Sequence, residues 1–253
     1  SLKKITIPSS VVNLGICIFR ECSSLRQVTL SSSLTVIGME TFYYCSSLTH
    51  VKIPLSVANL ERNAFKGCSS LEKITIPRSV VSIKEYAFGG CLQLTRIKIP
   101  SSVMSLGDYA FYECSSLIKV KLHASIQSIG ANVFKGCSSL KQIIIPPSVT
   151  SIQSSAFSKC YSLTEITIPP SITLIKSSAF SDCSSLKQIK FDDPSSLTKF
   201  GKNAFCGCSL LKSIVIPSSV SSSVRKNMIL FHGRPVIIKV QLLIRQRKKS
   251  QLQ

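Results

Sequence analysis

The chain has 253 residues, of which 44% are hydrophobic and 17% charged, a balance too apolar for a disordered polymer. Its apolar residues come in short interrupted groups. Even the stretch 236–244 is broken by Lys239 and Gln241, well short of the ~18 to 20 continuous apolar residues of a membrane-spanning helix. A formal charge of +20, from 31 Lys and Arg against 11 Asp and Glu, favours acidic partners, whether nucleic acid, polysaccharide, lipid surface or protein.

The chain opens Ser1-Leu2-Lys3-Lys4-Ile5, already inside a repeat, with no Met and no apolar run of signal length. This reads as a mature or truncated piece, or as a start lying further upstream. The compartment is open on these grounds. The first coil carries no capping sequence, so an exposed core edge is expected there, awaiting a further segment or a docked partner. From Leu25 the leucine that follows each cysteine segment returns as Leu48, Leu71, Leu94, Leu117, Leu140, Leu163 and Leu186, at a constant interval of 23 residues. Leu2 extends the series backwards. Leu211 follows Leu186 after 25 residues, which places a two-residue insertion at Asp192-Asp193-Pro194-Ser195.

One coil shows the plan: Leu71, Ile74, Ile76, Val80, Ile83, Ala87, Phe88 and Cys91 form its apolar set. Ile74 and Ile76 flank a polar Thr75, the alternation of a short half-buried strand, and Pro77 ends it because proline has no amide to give a ladder. The segment around Ala87 and Phe88 is expected to be a short helical or 3₁₀ turn that returns the chain to the next strand. Such a coil cannot bury its apolar face alone, whereas coils stacked in register share one long core. The expected fold is an α/β solenoid of about ten 23-residue coils over residues 1–220, curved, with a parallel β-sheet of roughly 45 Å on its concave face. The phenylalanines from Phe19 to Phe205, one per coil, should stack into an aromatic spine. Beyond Val220 the repeat decays into a basic C-terminal cap or tail, residues 221–253. There the alternating Val236, Ile238, Val240, Leu242 and Ile244 suggest a last strand covering the open end of the core.

The consensus L-x-x-I-x-I-P-x-S-V, followed by A-F-x-x-C-S-S-L, resembles the BspA-like leucine-rich repeats of surface proteins in bacteria and mucosal protist parasites. The likeness runs from residue 1 to about 220. In two places, His123 and Asp192, another residue replaces the proline. The resemblance implies a binding or adhesion role at the cell exterior, on repeats that share no common ligand.

Nine of the eleven cysteines, from Cys22 to Cys208, occupy one repeat position. Stacked equivalents point the same way, which makes them a ladder of small buried thiols. Only Cys206 and Cys208 are close in sequence, and His50, His123 and His232 are scattered, so no metal-ligand spacing is present. A serine ladder from Ser10 to Ser219 follows the strand, its hydroxyls expected to bond backbone groups at the bend. No base and orienting acid recur beside it, and Gly89-Gly90 lacks the rest of a nucleotide fingerprint. The expectation is a protein without catalysis, cofactor or metal.

Residues two and four places after each marker leucine should project from the sheet. These positions hold Lys4, His50, Lys52, Lys73, Arg96, Lys98, Lys119, Lys121 and Lys190, with Glu165 as the single acid. The densest run, His50, Lys52, Lys73, Arg96, Lys98, Lys119 and Lys121, is the candidate partner-binding surface. It spans four strands, or about 15 to 20 Å. The plainer alternative is that these lysines keep an exposed sheet soluble. Aromatic side chains are missing from the same positions, which argues against specific reading of single-stranded nucleic acid. An acidic protein surface or a polyanionic glycan fits better. The leading expectation is therefore a non-catalytic interaction or adhesion module with a basic face. The alternative is an intracellular structural scaffold bound to an acidic polymer such as a cytoskeletal filament, which would place it in the cytoplasm instead of at the cell surface.

Overall fold

The computed structural model describes residues 2–220 and the backbone of 237–241. It is a parallel-strand solenoid of about 9 turns of roughly 23 residues. Each turn except that of Gln142 contributes a short strand to a first ladder, which is paired in separate groups, beginning with Lys4–Thr6, Gln27–Thr29, His50–Lys52 and Lys73–Thr75. It continues through Arg96–Lys98, Lys119–Lys121, Glu165–Ile168, Gln188–Phe191 and Ser213–Pro217. Pairing is parallel and in register, Ile5 with Val28 with Val51 with Ile74. The middle residue of each strand is buried and its two flanking residues are exposed, except that Ile5 in the first coil is only partly buried. The alternation read from Ile74, Thr75 and Ile76 therefore holds along the stack.

A second ladder runs beside it, of eight two-residue strands from Val36–Ile37 to Lys199–Phe200. Sequence periodicity does not predict this ladder, because two residues contain no alternation to read. Its inward residue is the one already counted as core, such as Leu60, Ile83 or Ile129.

The return segment is not helical, and no helix occurs among the described residues, so the α component of the expected α/β solenoid is corrected to an all-β one. Between Glu40 and Cys45, alternate amides close tight turns: Thr41 donates to Gly38, Tyr43 to Glu40 and Cys45 to Phe42. The amides between them donate to the next coil, Glu40 to Arg62, Phe42 to Ala64 and Tyr44 to Lys66. A helix would keep all of these amides within its own turn. What permits the alternation is a left-handed residue twice per coil, as at Asn63 (φ 58°) and Gly67 (φ 75°), or Tyr109 (φ 58°) and Glu113 (φ 54°). For a residue with a side chain that conformation costs roughly 1 to 2 kcal/mol, a cost offset by hydrogen bonds to neighbouring coils.

Inside, the phenylalanine rings from Phe19 to Phe205 stack in one unbroken column, with centroids 5.2 to 5.6 Å apart and planes within 2 to 16° of parallel. Seven hydroxyls of the serine ladder, Ser102 among them, donate to a carbonyl of the preceding coil at 2.5 to 3.1 Å. The insertion is accommodated outside the core: Asp192, Asp193 and Pro194 are exposed, and pairing resumes with Leu174 opposite Lys199. A third departure at the proline position is Ser31, which is buried and bonds the Ser9 carbonyl across the stack. At the far end Ile237–Gln241 pairs in parallel with Ser213–Pro217, where a final strand is expected. The rest of the basic tail, with Val236, Leu242 and Ile244, lies outside the described residues.

Replacing Phe88 by Ala opens a gap between Phe65 and Phe111 and should cost about 3 to 5 kcal/mol. Urea denaturation should show a lower midpoint with an unchanged slope. Replacing exposed Thr75 by Ala should stay within about 0.5 kcal/mol.

Candidate interaction surface

The strands position all seven candidate residues on one face. His50, Lys73, Arg96 and Lys119 hold equivalent places in successive coils, with His50 directly opposite Lys73 and Arg96 directly opposite Lys119. Lys98 lies opposite Lys121, and Lys52 opposite Thr75. Each is exposed. Among the described residues none of the seven forms an ion pair. The single acid of these columns, Glu165, is engaged by Lys190 at 3.4 Å. Strands in a sheet lie about 4.7 to 4.9 Å apart, so the backbone holds Arg96 and Lys119 closer than free like charges would sit, and directly opposed like charges destabilise a sheet.

Most of the acids lie on the return segment and the bend before it. Glu21, Glu113 and Asp182 occupy left-handed positions there, and Glu40 and Glu85 pair with Arg20 (2.7 Å) and Arg62 (3.5 Å). Three of the four ion pairs among the described residues thus lie on the return segment, while the seven cations of the sheet face form none. Sequence reading overlooked the tyrosines of this side. Tyr86 and Tyr109 stack at 4.4 Å, Tyr112 meets both edge-on, and Lys66 sits 4.1 Å above Tyr86. Tyr43 receives Arg20 at 4.9 Å. Their ring faces are filled by one another and by cations of this chain. The clue available in the sequence was their recurrence three residues apart, as at Tyr109 and Tyr112.

The model of the BspA type leucine-rich repeat region matches residues 1–118 and 104–228, in 6 copies. A solved leucine-rich repeat protein of T. pallidum, TpLRR, is 30% identical; the match covers 70% of this chain and 80% of that one, with a TM-score of 0.59. One from Eubacterium ventriosum is 26% identical over 87% of this chain and 61% of that one, with a TM-score of 0.69. The pneumococcal vaccine antigen PcpA is 22% identical over 96% of this chain and 68% of that one, at 0.62, a likeness of fold alone. A search of the curated proteins finds no match.

Among the described residues no group of three His, Cys, Asp or Glu is placed to hold a metal ion. None of the eleven cysteines forms a disulfide among the described residues. Eight thiols, from Cys45 to Cys208, donate to the carbonyl of the preceding coil's phenylalanine at 3.0 to 3.3 Å. The ladder is therefore a hydrogen-bonding device as well as small packing. Burial, with neighbouring thiols adding to it in several coils, raises the pKa of the buried cysteines from Cys45 to Cys183. Cys45 and Cys114 are pushed up to about 12. These thiols stay protonated at neutral pH and are poor nucleophiles. The unfolded chain releases the same protons near the ordinary value of 9.0, so above it the unfolded state binds fewer protons and stability falls as pH rises. The loss is at most ~1.4 kcal/mol per pH unit for each thiol, up to its folded pKa. Urea midpoints measured between pH 9 and about 12 should decline less steeply in Cys114→Ser than in the native chain.

Proposed function

The chain belongs to the BspA-type leucine-rich repeat family, whose repeats generally serve protein interaction, and on that premise we propose that it is a non-catalytic interaction or adhesion module gripping an acidic protein or polyanionic glycan through its basic sheet face. The observation that carries the reading is the run of seven basic side chains from His50 to Lys121, all exposed on one face and without acidic partners among the described residues. Repulsion between two such charges at 4 Å is about 1 kcal/mol even in water. A polyanion laid across the columns relieves that repulsion while gaining its own attraction. The reading extends to residues 221–253, where Arg245, Arg247, Lys248 and Lys249 add positive charge to a cap or tail, and it places the molecule at the cell exterior.

The absence of any disulfide among the eleven cysteines favours a second reading, an intracellular scaffold on an acidic polymer such as a cytoskeletal filament, because reducing compartments disfavour disulfides. Labelling of intact cells with a membrane-impermeant amine reagent separates the two. Modification of the chain supports the exterior, and protection supports the scaffold.

Reversing Lys73, Arg96, Lys98, Lys119 and Lys121 together to Glu should weaken binding to polyglutamate and heparin by about tenfold or more at low salt, and should flatten the dependence of affinity on salt. Unchanged affinity with an unchanged salt slope rules the surface out. The single change Lys98→Glu, opposite Lys121, should raise folding stability by about 0.2 to 1 kcal/mol, read as a higher urea midpoint, since it replaces a repelling pair with an attracting one.

A further inference from the structure

The basic columns end at an apolar site. In the coil after Lys119–Lys121 the first ladder is interrupted: Gln142 alone bridges to Lys119, and regular pairing returns only with Glu165–Ile168. Beside the break lies an open cleft of about 860 Å³, within the ~300 to 1,000 Å³ of ordinary binding sites. Ile144 is 84% exposed and Ile118 is 41% exposed, the former higher than any other exposed large hydrophobic residue described. Both line the cleft together with Lys119, Lys121 and Lys141. Ile144 stands in the outward column of Lys98 and Lys121, a column that otherwise carries only polar or charged side chains through these coils apart from Val215 further on.

We propose that this cleft is the anchor point of the basic face and that its occupant is an acidic polypeptide segment carrying one aliphatic or aromatic side chain, which packs on Ile118 and Ile144 while flanking carboxylates meet Lys119, Lys121 and Lys141. The inference rests on the basic-face reading and narrows it from polyanions in general to a protein. Ile118 and Lys141 hold equivalent places in successive coils, as do Lys121 and Ile144, so each of these two isoleucines has a lysine beside it and the fitting ligand carries charges next to an apolar group. A sulfated or carboxylated glycan satisfies the lysines but has no use for Ile144. Lys119 and Lys121 of the lysine columns are part of the cleft lining, so an extended chain seated in the cleft reaches both.

The test pans a phage-displayed library of short random peptides against the full chain and measures the selected peptides, synthesised singly, by fluorescence anisotropy. Ile144 is exposed, so Ile144→Ser leaves the fold intact. The expected consensus places acids around a single large apolar residue. Ile144→Ser and, separately, Lys119→Glu with Lys121→Glu should each weaken such peptides about tenfold or more, the scale of one buried aliphatic side chain. Peptides that are acidic without an apolar residue and bind Ile144→Ser equally well overturn the anchor while leaving the basic face standing. Apolar peptides without acids, no selected peptides, or retention of phosphatidylserine vesicles through Ile144 in place of peptides overturn it as well. If the lysine reversals leave every binder unaffected, the basic face fails together with the anchor.

Discussion

Every coil of this molecule is chemically incomplete, and only its neighbours complete it. Half of the return-segment amides, such as those of Phe42, Phe65 and Phe88, find their acceptors one coil further on. The thiol of each buried cysteine and the hydroxyl of most ladder serines find theirs one coil back. The phenylalanine of each coil is covered above and below by its equivalents. A coil taken alone would leave these groups buried without partners or exposed to water, and would still bear the cost of two left-handed residues. Stability therefore belongs to interfaces between coils. A shift of register by one residue would separate donors from acceptors and rings from rings at the same time.

That requirement divides the 23 positions into those the stack needs and those it leaves open. Inward strand residues, the phenylalanine, the cysteine and the serine are committed to neighbours. The two outward positions of the first ladder are not, and there the coils differ freely: Lys4, Gln27, His50, Lys73, Arg96, Lys119, Gln142 and Glu165 follow one another in a single column. The stack then turns variation along the sequence into a pattern in space, since residues 23 apart become neighbours across a strand spacing. Function of a binding kind has its natural place in those columns, where a change alters a partner without altering the fold.

Much of this was legible beforehand because it rests on repetition. The interval between marker leucines gave the coil, and the alternation around Thr75 gave the direction of Lys73. The phenylalanine column followed from one ring per turn. What was not legible depends on backbone geometry that leaves little trace in residue type. The left-handed positions carry glycine at Gly67 and Gly90 but tyrosine at Tyr86 and Tyr109, so the usual glycine signal is diluted and a tight alternating ribbon looks like a short helix. The second ladder is too brief to alternate. The thiol bonds escaped notice because cysteine reads as a small apolar residue until a carbonyl is seen beside it, and the Ser31 substitution was hidden by the serines around it. Ile144 stands four places after Leu140, where the alternation already predicts an outward side chain; the interruption of the ladder at Gln142 and the cleft beside it leave no mark in residue type.

The same rigidity that hides some features explains why a basic face can persist on this scaffold. On a flexible surface, neighbouring lysines separate until water and salt screen them. Here Arg96 and Lys119 are attached to paired strands whose spacing is set by backbone hydrogen bonds and by a core that admits no adjustment. Their side chains can splay at the tips, yet their bases stay together, so a repulsive field is maintained at the expense of folding stability and is available to an incoming anion without reorganisation. Preorganisation of this kind favours binding because the unfavourable arrangement is already present before the partner arrives. A solenoid tolerates it because each coil gains enough from its two neighbours, through stacked rings, buried thiols and shared amides, to hold like charges in line on the outside.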